Sequence, residues 1–133
     1  MDVRLLEARP TDAERATVDR SLGLPESGWD GGERRSGVDG NVSHGGHRAR
    51  ARRDQLLPAL HAVQEHLGWI SPGALNYVCE RLTIPPADAF GVATFYALFS
   101  LEPRPPRVVH VCDDLACRCR GSGALIAELE DRF

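Results

Sequence analysis

Apolar residues fall into a helical rhythm from Asp54 onward: Leu56, Leu57, Leu60, Val63 and Leu67 recur at spacings of three and four and make one stripe. Pro58 is compatible with that helix only in its first turn, so the helix is predicted to begin close to Asp54 or Gln55 and to close at Gly68. Ser71-Pro72 then reads as an N-cap followed by proline at the first helical position. The second helix runs to about Leu82, with Leu75, Val78, Cys79 and Leu82 on its inner side. Ile84-Pro85-Pro86 breaks the chain and opens a third helix through Phe90, Val92, Phe95, Tyr96, Leu98 and Phe99. That segment is apolar nearly all round, which predicts burial or a docked partner. Gly91 within it costs roughly 1 kcal/mol relative to alanine, and so predicts a close helix contact. Pro103, Pro105 and Pro106 form a stiff link to the run Arg107–Val111, whose β-branched residues predict a strand. Gly123 to Phe133 closes the pattern as a fourth helix, with Leu125, Ile126, Leu129 and Phe133 facing one way.

The N-terminal part has no comparable rhythm. Residues 1–50 hold 8 of the 13 glycines and one aromatic, Trp29, and are predicted to be a flexible arm. One short helix is expected inside it. Thr11 and Glu14 have capping-box spacing, Val18 and Leu22 lie one turn apart, and Gly23 can end the helix. The organisation expected is an arm over 1–50, a three-helix bundle over 51–103, and a strand–loop–helix unit over 104–133. That is an α+β chain whose last part is the opening of an α/β domain, because one strand and one helix are not a stable sheet in water.

Charge and composition narrow the function. The net charge of −3 is too mild to argue for nucleic acid or a membrane surface. All 16 basic residues are arginine, a bias that a GC-rich genome accounts for. Arg48, Arg50, Arg52 and Arg53 cluster before the first strong helix, but no aromatic residue interleaves with them, so a solvated helix entry is the favoured reading over a nucleic-acid patch. No apolar run approaches the roughly 20 residues needed to span a bilayer, and the first ten residues lack signal-peptide order. A cytoplasmic protein without direct membrane insertion is expected. His44 and His47 sit among glycines in the arm and read as solvated loop residues.

The chemistry gathers at the cysteines. Cys112, Cys117 and Cys119 fall at the carboxyl end of the predicted strand, the place where open α/β sheets hold ligands. Such crowding does not suit a disulfide framework and points to metal or redox chemistry. Soft thiolates select zinc, copper(I) or iron–sulfur clusters. The Cys-x-x-Cys spacing usual for zinc and for thioredoxin-type dithiols is absent. A four-residue gap, as between Cys112 and Cys117, recurs in 2Fe-2S motifs, where four cysteines bind two irons. Main-chain amides of the loop can donate to the sulfurs, and Arg118 and Arg120 can add positive charge. Cys119 forms a Cys-x-Cys with Cys117 and is the weaker candidate ligand. His110 should point to the opposite face and Cys79 reads as a small core residue. The spacing alone leaves cluster binding, another metal and incidental thiols all open.

A resemblance narrows the choice. The strings Leu56-Leu57-Pro58-Ala59-Leu60-His61-Ala62-Val63-Gln64-Glu65, Gly68-Trp69-Ile70-Ser71, Gly91-Val92-Ala93-Thr94-Phe95-Tyr96 and Val111-Cys112…Cys117…Gly121 closely resemble the thioredoxin-like 2Fe-2S subunit of NADH-dehydrogenase-type complexes. Its relatives include the E subunit of respiratory complex I and the matching subunits of NAD-linked formate dehydrogenases and bidirectional hydrogenases. The resemblance covers about residues 54 to 133. It implies a helical bundle followed by the first β-α unit of a thioredoxin-like ferredoxin domain. It also implies a 2Fe-2S cluster and one-electron transfer beside a partner subunit that binds FMN and NADH, with peripheral attachment to the inner membrane only through the larger complex. Cys112 and Cys117 match the family's first ligand pair. Nothing here matches the later Cys-x3-Cys that supplies the second, so half of the ligand set is present and a C-terminally truncated chain is expected. Two readings follow: an electron-transfer subunit of an NADH:acceptor oxidoreductase of the quinone type, not catalytic alone, or a non-redox docking module or gene fragment that binds the flavoprotein through its helices.

Overall fold

A computed structural model describes residues 7–25 and 51–132, and it builds a helical body from both segments. Helix α1 (Asp12–Leu22) opens on the capping box expected of Thr11 and Glu14: the Glu14 N–H donates to Thr11 Oγ1 at 3.3 Å and the Thr11 N–H to Glu14 Oε2 at 2.6 Å. Helix α2 (Leu56–Leu67) follows a short 3-10 turn, Arg53–Gln55, so Pro58 does fall in the first turn, and Gly68 caps its end in a left-handed conformation. Helix α3 (Pro72–Leu82) begins on Ser71, whose hydroxyl accepts from the Ala74 N–H at 3.0 Å. Helix α4 (Pro86–Phe95) completes the body.

The core lies where α1, α2 and α3 meet. Val18 and Leu22 of α1, Ala59, Leu60 and Val63 of α2, and Ala74, Val78 and Leu82 of α3 are all buried. The helix expected within an N-terminal arm is therefore part of the packed body. It is held there by polar contacts as well. Arg81 of α3, 1% exposed, pairs with Asp19 of α1 and donates to the Gly23 carbonyl, while Arg52 donates to the Leu22 carbonyl. The two guanidiniums thus satisfy carbonyls that a helix C-terminus leaves without partners. At the other end of α1, Glu14 accepts from the Ser71 hydroxyl and so joins the N-caps of α1 and α3. Desolvation pushes the Glu14 carboxyl up, but its bonds from Ser71 and Thr11 outweigh that and hold it below the ordinary value.

Gly73 permits one close approach. A Cβ there would lie 2.5 Å from the Arg9 carbonyl oxygen, so the segment before α1 crosses α3 where only glycine fits. Asn76 fixes that crossing by donating to the Ala8 carbonyl at 3.0 Å.

Helix α4 departs from expectation in two respects. It ends at Phe95, with Tyr96 already extended, so Phe99 reaches the core through a turn. That turn is pinned by the Ile70 N–H to Ser100 carbonyl bond at 2.7 Å, the Ser100 N–H to Gln64 Oε1 bond at 2.9 Å, and the His61 and Phe99 rings at 4.7 Å. Second, Gly91 is exposed and a Cβ on it would meet nothing within 4 Å, so it marks no helix contact. Ala89 and Ala93 face the core, whereas Phe95 and Leu98 are 80% and 63% exposed. The all-round apolar character is real, but only one side of it is buried.

The expected strand over Arg107–Val111 is not formed: the described residues contain no strand, and this run has no regular structure, with Val109 72% exposed. A run of strand-forming residues becomes a strand only when a neighbouring strand pairs with it, and the described residues offer no such strand. The chain continues through a short helix α5 (Leu115–Arg118) into α6 (Ser122–Arg132), where the expected fourth helix is found. Ile126 and Leu129 of α6 are half-buried and line an open groove of about 850 Å³ with Val108, Val109 and Val111. No helix among the described residues is long and apolar enough to cross a membrane. The arm over 26–50, with His44, His47, Arg48 and Arg50, lies outside the described residues, as does Phe133.

Candidate metal centre

The thiol loop is shaped by its acidic residues. Asp114 is the N-cap of α5 and accepts from the Leu115 N–H at 2.7 Å, which starts the helix after the Arg107–Val111 run. Asp113, just before it, receives both the Nε and one terminal nitrogen of Arg118, each at 2.6 Å. This two-pronged pair spans the loop and sets the separation of its two sides. Both partners are more than half exposed, so its role is geometric more than energetic. The arginine draws the Asp113 carboxyl below its usual range. Gly121 then takes φ +97°, a conformation open to glycine, and lets the chain turn into α6.

Inside this loop Cys112 and Cys117 come together. The Asp114 N–H donates to the Cys112 sulfur, and the Cys117 thiol donates to it as well, so Cys112 is the more acidic of the two. The main-chain donation holds its thiol below the usual value, with the Cys117 bond adding to that. Cys117 is correspondingly raised, because it gives its proton to the Cys112 bond and sits beside that sulfur's negative charge. Both thiols are free and at or near the surface. Cys119 is exposed and stands outside this pair. Cys79 lies in the core, where burial, aided by the Asp88 charge, pushes its thiol up to about 12. His110 is exposed along the groove with α6 and is not gathered with the thiols.

Two adjacent thiolates with a main-chain amide aimed at one of them suit a soft metal centre. They do not make a whole one. An ordinary 2Fe-2S cluster takes four cysteine ligands, and among the described residues no group of three or more metal-binding side chains assembles. The loop fits half of such a site. Sequence reasoning missed the Asp113–Arg118 clasp. Arg118 was expected to lend positive charge to the sulfurs, but that charge is committed to Asp113. The five-residue spacing of an acid before a base across the cysteines was the available signal. Arg52 and Arg53, candidates for a basic patch, instead donate to main-chain carbonyls of Leu22 and Thr83.

Residues 43–133 match the model of the family described as thioredoxin-like [2Fe-2S] ferredoxin, a span that includes α2 to α6 and the thiol loop and begins after α1. The chain is similar to the E subunit of NADH-quinone oxidoreductase from Pseudomonas aeruginosa, 32% identical over 93 residues, which are 70% of this chain and 56% of that protein. It is similar in the same way to the corresponding protein of Escherichia coli, 33% identical over 92 residues (69% of this chain, 55% of that one). The Salmonella typhimurium protein of the same name is 34% identical over 89 residues, covering 67% and 54% respectively. The chain thus spans about half the length of the curated relatives it matches.

Proposed function

Because this chain belongs to the thioredoxin-like [2Fe-2S] ferredoxin family, we propose that it serves one-electron transfer as a subunit of an NADH:acceptor oxidoreductase of the quinone type. In this reading Cys112 and Cys117 supply two of four thiolates of a 2Fe-2S site, and hydride oxidation belongs to a partner subunit carrying FMN and NADH. The observation that carries it is the pairing of the two thiols just after the Arg107–Val111 run, within the span matched by the family. The bundle over 51–103 then acts as the docking piece and 104–133 as the start of the cluster domain, with Arg107–Val111 pairing as a strand once a neighbouring strand is present. The complex is cytoplasmic and peripheral to the inner membrane.

A second reading, a docking module without a cluster, is favoured by the side of α4 that faces solvent. Phe95 at the end of α4 and Tyr96 and Leu98 in the turn that follows stand exposed. Anaerobic reconstitution with iron and sulfide, followed by EPR after reduction, separates the two. A 2Fe-2S signal that is lost in Cys112→Ser and in Cys117→Ser but kept in Cys119→Ser supports electron transfer. A folded protein that takes up no iron, yet co-purifies with a flavoprotein through Phe95 and Leu98, supports the docking module.

A further inference from the structure

On the side of the bundle formed by α3 and the segment preceding α1 lies a cleft of about 770 Å³, within the size range of small-molecule sites. Its charge is unbalanced. Arg9, Arg15 and Arg53 line it, against one acid, Glu80. Among the described residues none of these three arginines forms an ion pair with a carboxylate. Three arginines around one concavity give it a positive potential that favours an anion.

The cleft is also built. Its wall on the side of residues 8–10 is fixed where Gly73 admits the Arg9 carbonyl and Asn76 holds that of Ala8. Arg15 is stacked on the Tyr77 ring at 4.8 Å, which orients its planar fork without using any of its donors. Arg53 leans on the Thr83 carbonyl at 3.4 Å. Thr83 contributes a hydroxyl whose oxygen is buried with no hydrogen-bond partner among the described residues. A buried hydroxyl of that kind calls for a partner.

We propose that this cleft binds the phosphate group of a small organic monoester through Arg9, Arg15 and Arg53. The guanidinium fork matches phosphate oxygens two at a time, and a monoester presents three. The volume exceeds what a bare phosphate fills, and Pro85 and Pro86 give the carried organic group an apolar surface. The site lies on the helical body, separate from the thiol loop, and stands independently of the electron-transfer reading.

The test uses the full chain and phenyl phosphate, followed by amide NMR and calorimetry at low salt, with benzoate and inorganic phosphate for comparison. Saturable binding of phenyl phosphate that shifts the Thr83 amide is expected, weakened by roughly tenfold or more in Arg15→Gln/Arg53→Gln with the thermal melt unchanged. Arg132→Gln removes a single charge elsewhere, as Arg15→Gln alone does, and is expected to leave binding unchanged. If the double variant melts earlier, Arg15→Gln alone decides. Shifts that never saturate, an equal loss in Arg132→Gln, or benzoate or inorganic phosphate binding as tightly as the monoester would overturn the proposal.

Discussion

The pair Arg81–Asp19 gives the sharpest test of how α1 is held to the bundle. The two partners are buried unequally: the Arg81 side chain is wholly inaccessible, whereas that of Asp19 is 20% exposed. Removing one member of a buried pair costs about 3–5 kcal/mol, mostly because the other charge is left without compensation. The cost should therefore depend on which charge is stranded. Arg81→Met keeps much of the stem's volume and leaves Asp19, which can draw on water and on the Tyr77 hydroxyl that donates to it at 2.8 Å. A loss of about 3 kcal/mol is expected. Asp19→Asn strands a guanidinium that has the Gly23 carbonyl but no solvent, and the loss should approach about 5 kcal/mol. In a domain of this size either change lowers the melting temperature by on the order of 10 °C or more. Urea unfolding followed by far-UV circular dichroism, with the double variant completing the cycle, measures both losses and their coupling. Equal losses, the reverse order, or additive singles would refute the argument that unequal burial sets the cost.

Three further outcomes follow from the same geometry. Gly73→Ala, which drives a Cβ into the Arg9 carbonyl, is expected to lower stability by about 1–3 kcal/mol in a thermal melt, whereas Gly91→Ala, with open space around it, is expected to raise it by up to about 1 kcal/mol. Glu14 is depressed in the folded state, so its contribution is fully present above the ordinary carboxyl value of 4.5 and is lost as pH falls through its lower folded value; stability of Glu14→Gln should accordingly vary less with pH over that acid window, as read by urea midpoints. Iodoacetamide labelling at neutral pH, read by mass spectrometry, should modify Cys112 ahead of Cys117, with Cys79 untouched until the chain unfolds.

What the sequence made legible were features governed by neighbours in the chain. The capping box of Thr11 and Glu14, the position of Pro58 in a first turn and the Ser71-Pro72 start each depend on groups at most a turn apart, and each is found. The bond from the Asp114 N–H to Cys112 is local in the same sense, and main-chain donation to the sulfurs was expected. What was not legible depends on residues far apart. Arg81 lies to the side of the α3 stripe formed by Leu75, Val78, Cys79 and Leu82, yet it is buried, and the carboxylate of Asp19, 62 positions away, explains why a charge is tolerated there. Without that partner nothing in the pattern ties α1 to the bundle, and it reads as a helix in an arm. Gly73 was silent for the same reason: its importance lies in the Arg9 carbonyl that crosses it.

The run Arg107–Val111 carries the same lesson in the other direction. Its β-branched residues express a real preference for extended backbone, yet they form no strand. Pairing is a property of two segments, and one segment's composition says nothing of whether the other is beside it. Val108 and Val109 therefore remain on the surface, and the groove against Ile126 and Leu129 stays open. The thiol loop does not share that dependence. Its turn is set by Asp114 as the cap of α5, its width by Asp113 and Arg118, and the approach of Cys117 to Cys112 by both together. The thiol pair is thus organised by the loop's own residues while the run that leads into it has no partner strand among the described residues, so the approach of the two thiols does not wait on the pairing of that run.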